Sequence, residues 1–273
     1  MTHLEASALD AGYGERRILS DLSLTVPAGA ITAIVGANAC GKSTLLRSLA
    51  RLLRPSSGQV ILDGRSVWQI PGRELARKLG LLPQSPIAPD GLTVADLVGH
   101  GRYPHQRMFS RWRQEDDRAV ADALDATSTA NLADRDIDTL SGGQRQRVWI
   151  AMALAQETDV LLLDEPTTFL DIAHQVEVLD LLVDLNRRRG TTIAMVLHDL
   201  NLAARYADHL VALRNGRVHV AGKPERVLTE AMVAEVFGIR SRVMEDPTSG
   251  RPMMLPLGRH GERLAPSRGE ESA

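Results

Sequence analysis

The run Gly36-Ala37-Asn38-Ala39-Cys40-Gly41-Lys42-Ser43-Thr44 fits the pattern G-x-x-x-x-G-K-[ST]. In such a turn the backbone N–H groups face inward and cradle phosphate at a helix N-terminus. Gly36 and Gly41 permit the close backbone approach, the Lys42 ammonium reaches the β- and γ-phosphates, and the Ser43 hydroxyl ligates Mg2+. Lysine occurs at only three positions, Lys42, Lys78 and Lys223, among 32 basic side chains. A chain that fills its surface with arginine keeps a lysine where a compact ammonium is needed. The segment VLLLDE (160–165) adds two carboxylates at the end of an apolar run. It reads as a buried strand beside the phosphate strand, with Asp164 emerging at the C-terminal edge to hold Mg2+ through water. Glu165 would then polarise a water attacking the γ-phosphate. An acidic pair there also suits a helix cap; the phosphate loop favours the catalytic reading.

A third feature, Leu140-Ser141-Gly142-Gly143-Gln144, stands about a hundred residues after the phosphate loop. It is a second glycine-rich helix start, with Ser141 placed as N-cap and no lysine. One nucleotide does not need two separate phosphate cradles in one subunit. The economical inference is that the second cradle serves a nucleotide held by another subunit, in a head-to-tail dimer with ATP between the chains. Standing alone, the same residues would be an ordinary capped turn.

These groups need elements to hold them. Residues 16–35 read as two short strands around the turn Pro27-Ala28-Gly29, the second ending at Gly36. STLLRSLARLLR then places Leu45, Leu46, Leu49, Leu52 and Leu53 at helical spacing, up to the stop Arg54-Pro55. Strand, glycine loop and helix in that order form a phosphate-binding unit. SSGQVILDG reads as turn, strand, turn. Residues 86–135 read as a mostly helical insert, and 143–156 with the preceding glycine as a helix. DIAHQVEVLDLLVDLNRRRG is an amphipathic helix stopped by Gly190. TTIAMVLH is a buried strand before a helix from Asp199 to about Asp208, and HLVALRNGRVHVAG is a hairpin through Asn215-Gly216. The alternation implies an α/β fold, its mainly parallel sheet covered on both faces. From Arg240 the pattern weakens, and RHGERLAPSRGEESA has the composition of a disordered tail. There is no internal repeat and no long coiled-coil insertion.

Composition narrows the class. Of 273 residues, 44% are hydrophobic and 24% charged, as in ordinary globular chains. The 32 basic and 34 acidic residues leave a net charge of -2, which argues against a nucleic-acid binder. Cys40 is the one cysteine, so no internal disulfide forms and a reducing compartment fits. No apolar run approaches the roughly 18 residues of a membrane helix, and MTHLEASALDAG does not read as a signal peptide. The expectation is a soluble intracellular protein unless another chain carries it to a membrane. His105, His174, His209 and His219 have no metal-ligand spacing and receive no role.

Over about residues 8–240 the chain resembles the ATP-binding-cassette (ABC) ATPases, with a Walker A (36–44), a Walker B (161–165) and the signature LSGGQ (140–144) in the family's order. The resemblance implies that Tyr13 stacks on adenine, and that Gln84 in LLPQ contacts Mg2+ or water and senses a transmembrane partner. It makes Leu170-Asp171 the D-loop and His198 the switch histidine on the γ-phosphate. Each site would combine Lys42, Ser43, Thr44, Gln84, Asp164, Glu165 and His198 of one chain with Ser141 and Gly143 of the other. Asn38, Gly142, Gln144 and Asp171 join the nucleotide-binding set. The fold implied is a P-loop NTPase with an N-terminal antiparallel β part and a helical subdomain. It would comprise one domain over 1–240, with about 86–157 as the inserted helical part, and a partly disordered extension over 241–273. The departures are Ala37, where the family commonly has proline, Cys40 inside the loop, where a thiol reagent would block nucleotide by bulk, and Phe169, where a small residue is frequent.

Within the family, GLTVADLVGHGRYPHQ, WRQEDDRAVADAL, TTFLDIAHQVEVLDLL and VLHDLNLAARYADHLVALRNGRV are similar to ATPase subunits of iron–siderophore importers. Haem and cobalamin importers share most of this; GRYPH and FLDIAHQ lean toward siderophore. The resemblance implies ATP and Mg2+ as ligands, a homodimer, and a separate permease gripped through the helical insert at the cytoplasmic face of the inner membrane. A substrate-binding protein would act indirectly, and no nucleic acid would be involved. A soluble ABC ATPase of DNA repair or translation is the reading from another class. LSGGQ, LLLDE and His198 speak against an unrelated P-loop kinase.

Overall fold

A computed structural model of the chain describes residues 3–106, 112–168 and 170–258. Phe169 and the tail RHGERLAPSRGEESA therefore lie outside the described residues, as does part of the 86–135 insert. The chain opens with β1 (Leu4–Tyr13), β2 (Arg16–Val26), β3 (Ile31–Gly36), α1 (Lys42–Leu49), β4 (Ser57–Leu62), the short β5 (Arg65–Ser66), α2 (Gly72–Lys78) and β6 (Leu79–Leu82). Helices α3 (Val94–His100), α4 (Gln114–Ala126) and α5 (Gly142–Ala155) follow. Then come β7 (Val160–Asp164), α6 (Ile172–Arg189), β8 (Thr192–Val196), α7 (Leu200–Tyr206), β9 (His209–Arg214) and β10 (Arg217–Gly222). The helices α8 (Pro224–Val227) and α9 (Glu230–Phe237) precede a last hairpin, β11 (Ser241–Glu245) and β12 (Pro252–Pro256).

The central sheet has the order β10-β9-β3-β8-β7-β6. Its strands are parallel except for β10, which returns beside β9. A second sheet, β2-β1-β4-β5, is antiparallel throughout. Period-two alternation assigns each central strand to two cores. Ala33, Leu161, Leu163, Ile193 and Met195 face a core with the helices α5, α6, α7 and α9. Ile34, Leu162, Ala194 and Val196 face the other, with α1 and the antiparallel sheet. Among the described residues, no helix is long and apolar enough to cross a membrane.

Two expectations need correction. Strand β7 does not lie beside the phosphate strand β3, because β8 pairs with both and stands between them. Chain order does not dictate strand order where helices carry the crossovers. The helix after the phosphate loop ends at Leu49, not at Arg54-Pro55. Arg51 takes a left-handed φ of 61°, and the N–H groups of Leu52 and Leu53 both donate to the Arg47 carbonyl. The Arg51 guanidinium donates to the carbonyls of Val67 (3.0 Å) and Ile70 (2.6 Å), leaving Leu52 exposed. The residues after Arg240, where the pattern weakened, hold an ordered hairpin. It is docked on α7 by Asn201, which donates to the Met254 carbonyl (3.1 Å) and accepts from its N–H (2.7 Å).

Candidate active site

The phosphate loop runs from the end of β3 into α1. Gly41 carries a φ of 109°, and a Cβ there would stand 2.7 Å from Leu19 Cδ2, so glycine is required by both backbone and packing. The first α1 N–H groups have no carbonyl a turn earlier within the helix and point toward the loop. Lys42 is buried, its ammonium donating to the carbonyls of Gly36 (2.8 Å) and Ala37 (3.1 Å). The charge is thus fixed across the mouth of the loop. Cys40 is buried too, and burial pushes its thiol up from the ordinary value, with Lys42 opposing.

Despite the intervening β8, Asp164 reaches the loop: the Ser43 hydroxyl donates to its Oδ1 at 3.1 Å. Asp164 is buried, and desolvation raises its carboxyl above the usual range against the Ser43 hydrogen bond. Glu165, next in the chain, has a left-handed φ of 57°. This conformation is uncommon outside glycine and marks a backbone held in place by its surroundings. Its carboxylate accepts from Gln84 Nε2 (2.6 Å) and Thr168 Oγ1 (3.1 Å), both on Oε2. His198 Nε2 lies 2.5 Å from Oε1. Gln84 follows β6 and His198 follows β8, so three neighbouring parallel strands deliver their C-terminal residues to one point.

These residues line a cleft of about 360 Å³ that includes Tyr13, Asn38, Gly41, Lys42, Ser43, Thr44, Gln84, Glu165 and His198. Tyr13, at the end of β1, is exposed and accepts a hydrogen bond from Arg47 at 3.1 Å. Arg16 and Ile18 also line the cleft, and Arg47 and Thr168 hydrogen-bond to Tyr13 and Glu165, though no sequence motif marks any of the four. For Thr168 the available signal is its place in the turn Glu165-Pro166-Thr167-Thr168.

Residues 141–144 and Asp171 do not line this cleft. Ser141 caps α5 in a closed box: its hydroxyl accepts from the Gln144 N–H (3.3 Å), and Gln144 Oε1 accepts from the Ser141 N–H (3.1 Å). Gly142 is exposed beside it, and Gly143 faces Leu170, 3.4 Å from where its Cβ would be. Asp171 caps α6 and accepts from the His174 N–H at 2.9 Å. Hydrogen bonds from the His174 backbone and ring hold its carboxyl below the ordinary range.

A lysine-bearing phosphate loop whose serine meets an acidic strand end, with a second capped glycine helix start outside that cleft, has the parts of a nucleotide-hydrolysing cassette. The chain belongs to the ABC transporter family, whose sequence profile matches residues 19–168. It is an ATPase of the kind that couples ATP hydrolysis to transport. It is 54% identical over 259 residues to the probable siderophore transport system ATP-binding protein YusV of Bacillus subtilis (strain 168), covering 95% of this chain and 94% of that one. It is 50% identical over 267 residues to the ferric enterobactin transport ATP-binding protein FepC of Escherichia coli (strain K12), covering 98% of both. Among solved structures, an inward-facing metal-chelate type ABC transporter contributes a chain that superposes with a TM-score of 0.81 at 30% identity, over 95% of this chain and 99% of that one.

Proposed function

We propose that this chain is the ATP-hydrolysing subunit of an importer for iron–siderophore complexes, working as a homodimer beneath a separate membrane permease. The observation that carries the hydrolytic assignment is the Glu165 carboxylate, held by Gln84 and His198 beside a lysine-bearing phosphate cradle. Lys42 and the N–H groups of Gly41, Ser43 and Thr44 bind the phosphates, Asn38 closes the loop, and Tyr13 offers a face to adenine. Glu165 acts as general base, with His198 and Gln84 turning to the γ-phosphate and its water. Mg2+ fits the donors present: Ser43 Oγ and Asp164 Oδ1 already meet, Gln84 adds an amide oxygen, and all are hard oxygen ligands. A cation there also relieves the desolvated Asp164 charge. Bound Mg2+ would supply charge neutralisation at the phosphates.

The dimer is supported by the placement of Ser141, Gly142, Gly143, Gln144 and Asp171 outside the cleft of their own chain, where they would complete the cleft of a second copy. Residues of about 86–157 form the helical subdomain that grips the permease at the cytoplasmic membrane face, with 241–273 as an extension. A substrate-binding protein engages the permease, not this chain. The iron–siderophore cargo is supported by likeness to two transport subunits, one named for a siderophore and one for ferric enterobactin.

Lys42→Ala is expected to abolish ATP binding in a direct titration. Glu165→Gln should keep ATP binding and a stable dimer while hydrolysis falls by roughly a hundredfold or more. Hydrolysis by Glu165→Gln at the parent rate would remove the base assignment. With its permease in vesicles, the chain should drive uptake of iron chelates; uptake of haem or cobalamin alone would reassign the cargo.

A further inference from the structure

We infer that Thr168 is a positioning residue for hydrolysis, its hydroxyl orienting the Glu165 carboxylate toward the attacking water. The inference rests on the reading of Glu165 as the base. A carboxylate has about four lone-pair sites, and three donors surround this one: His198 on Oε1, Gln84 and Thr168 on Oε2. Two of these, Gln84 and His198, line the nucleotide cleft, leave from other strands and have work to do at the phosphates. When they turn there, their hold on Glu165 goes.

Thr168 is differently placed. It does not line the cleft. Its own N–H donates to the Glu165 carbonyl at 3.2 Å, closing the turn Glu165-Pro166-Thr167-Thr168, in which proline fixes one backbone angle. The hydroxyl that holds Oε2 is therefore rigidly connected to the residue it holds, and the contact travels with the carboxylate. The turn is anchored from outside as well, since Gln146 Nε2 donates to the Pro166 carbonyl at 3.0 Å. Gln146 lies on α5, the helix capped by Ser141. A base must present a lone pair to its water within hydrogen-bond reach. With Oε2 fixed by Thr168, Oε1 is the oxygen left for that water once His198 has turned away.

The test uses the full-length chain with Mg2+ and ATP. Thr168→Val keeps the shape and removes the hydroxyl. It is expected to lower kcat about ten-fold, the scale of one hydrogen bond to a charged group. KM for ATP should stay within about two-fold, because ground-state binding is untouched. Thr168→Ser should restore kcat. Added to Glu165→Gln, Thr168→Val should cause no further loss in single-turnover hydrolysis, since its route runs through the carboxylate. If the valine variant does not fold, Thr168→Ala removes the same hydroxyl without steric demand. Parent kcat in the hydroxyl-free variants, no recovery with serine, or an undiminished loss on the Glu165→Gln background would each overturn the inference. Failure of the base assignment shows separately, as full hydrolysis by Glu165→Gln alone.

Discussion

Cys40 sits inside the phosphate loop, one residue before Gly41. From its place in the phosphate loop, the one cysteine looks like a point where a reagent would block nucleotide. The fold buries it, and burial pushes its thiol up from the ordinary value. The thiolate is the reactive species, so raising the pKa shifts the rise of alkylation rate to higher pH. The folded chain is expected to alkylate slowly at pH 7, faster as pH climbs toward and above the ordinary thiol pKa, and at once when unfolded in urea. Mass measured against time at two pH values checks this; rapid native alkylation at pH 7 would contradict the burial. Motif residues were legible because their chemistry fixes their type: Lys42, Ser43, Asp164 and Glu165 stand in one cleft or touch it. Arg47 and Thr168 were not, since an arginine on a helix and a threonine in a turn carry no chemical signal until a partner is seen.

Strands and helices were read best where periodicity was strong. β3, β7 and β8 are runs of buried apolar residues bounded by turns, and Gly190 stops α6 in a left-handed conformation as its position suggested. The end of α1 was not legible, because the leucine spacing continues past the point where Arg51 finds two carbonyls off the helix. Strand order was not legible either, as nothing in VLLLD states which neighbour it pairs with. The Asn215-Gly216 dipeptide marks the hairpin turn in the sequence, but not its second role. The Gly216 N–H donates to the Cys40 carbonyl (3.0 Å), and its own carbonyl accepts from the Ser20 N–H (3.1 Å). The turn thus pins the phosphate loop to β2. Gly216 has a φ of 73°, and a Cβ there would fall 1.9 Å from the Ile18 carbonyl oxygen. Gly216→Ala is therefore expected to cost about 2–4 kcal/mol in urea unfolding and to weaken ATP binding with it. Asn215→Gly, at a position with φ 49°, should stay within about 1 kcal/mol of the parent. Equal effects from both would show that the turn needs only flexibility, not the close approach.

For the whole molecule, the deciding feature is that its two glycine-rich helix starts do not share one cleft. The Ser141 box is complete in itself yet stands outside the cleft that Lys42 and Glu165 line, so on the proposed reading each chain would hold a phosphate loop without its lid and a lid without its phosphate loop. On that reading a head-to-tail pair related by a two-fold axis would complete both halves at once and close. This arrangement can be tested by complementation. Lys42→Ala destroys the phosphate loop of a chain but leaves its Ser141 cradle; Ser141→Arg fills the cradle but leaves the loop. Each variant alone should bring hydrolysis close to background. In an equal mixture, half the pairs are expected to be mixed, and each mixed pair has one intact site, formed by the loop of one chain and the cradle of the other. The mixture should therefore recover about a quarter of the parent rate if pairs assort randomly and sites act independently. ATP titration of the Ser141→Arg chain should still show binding, which separates loss of closure from loss of nucleotide. A mixture that stays at background while both chains remain folded and exchange partners would mean that the cradles do not meet across a dimer, and a Ser141→Arg chain that hydrolyses at the parent rate would mean that one chain suffices.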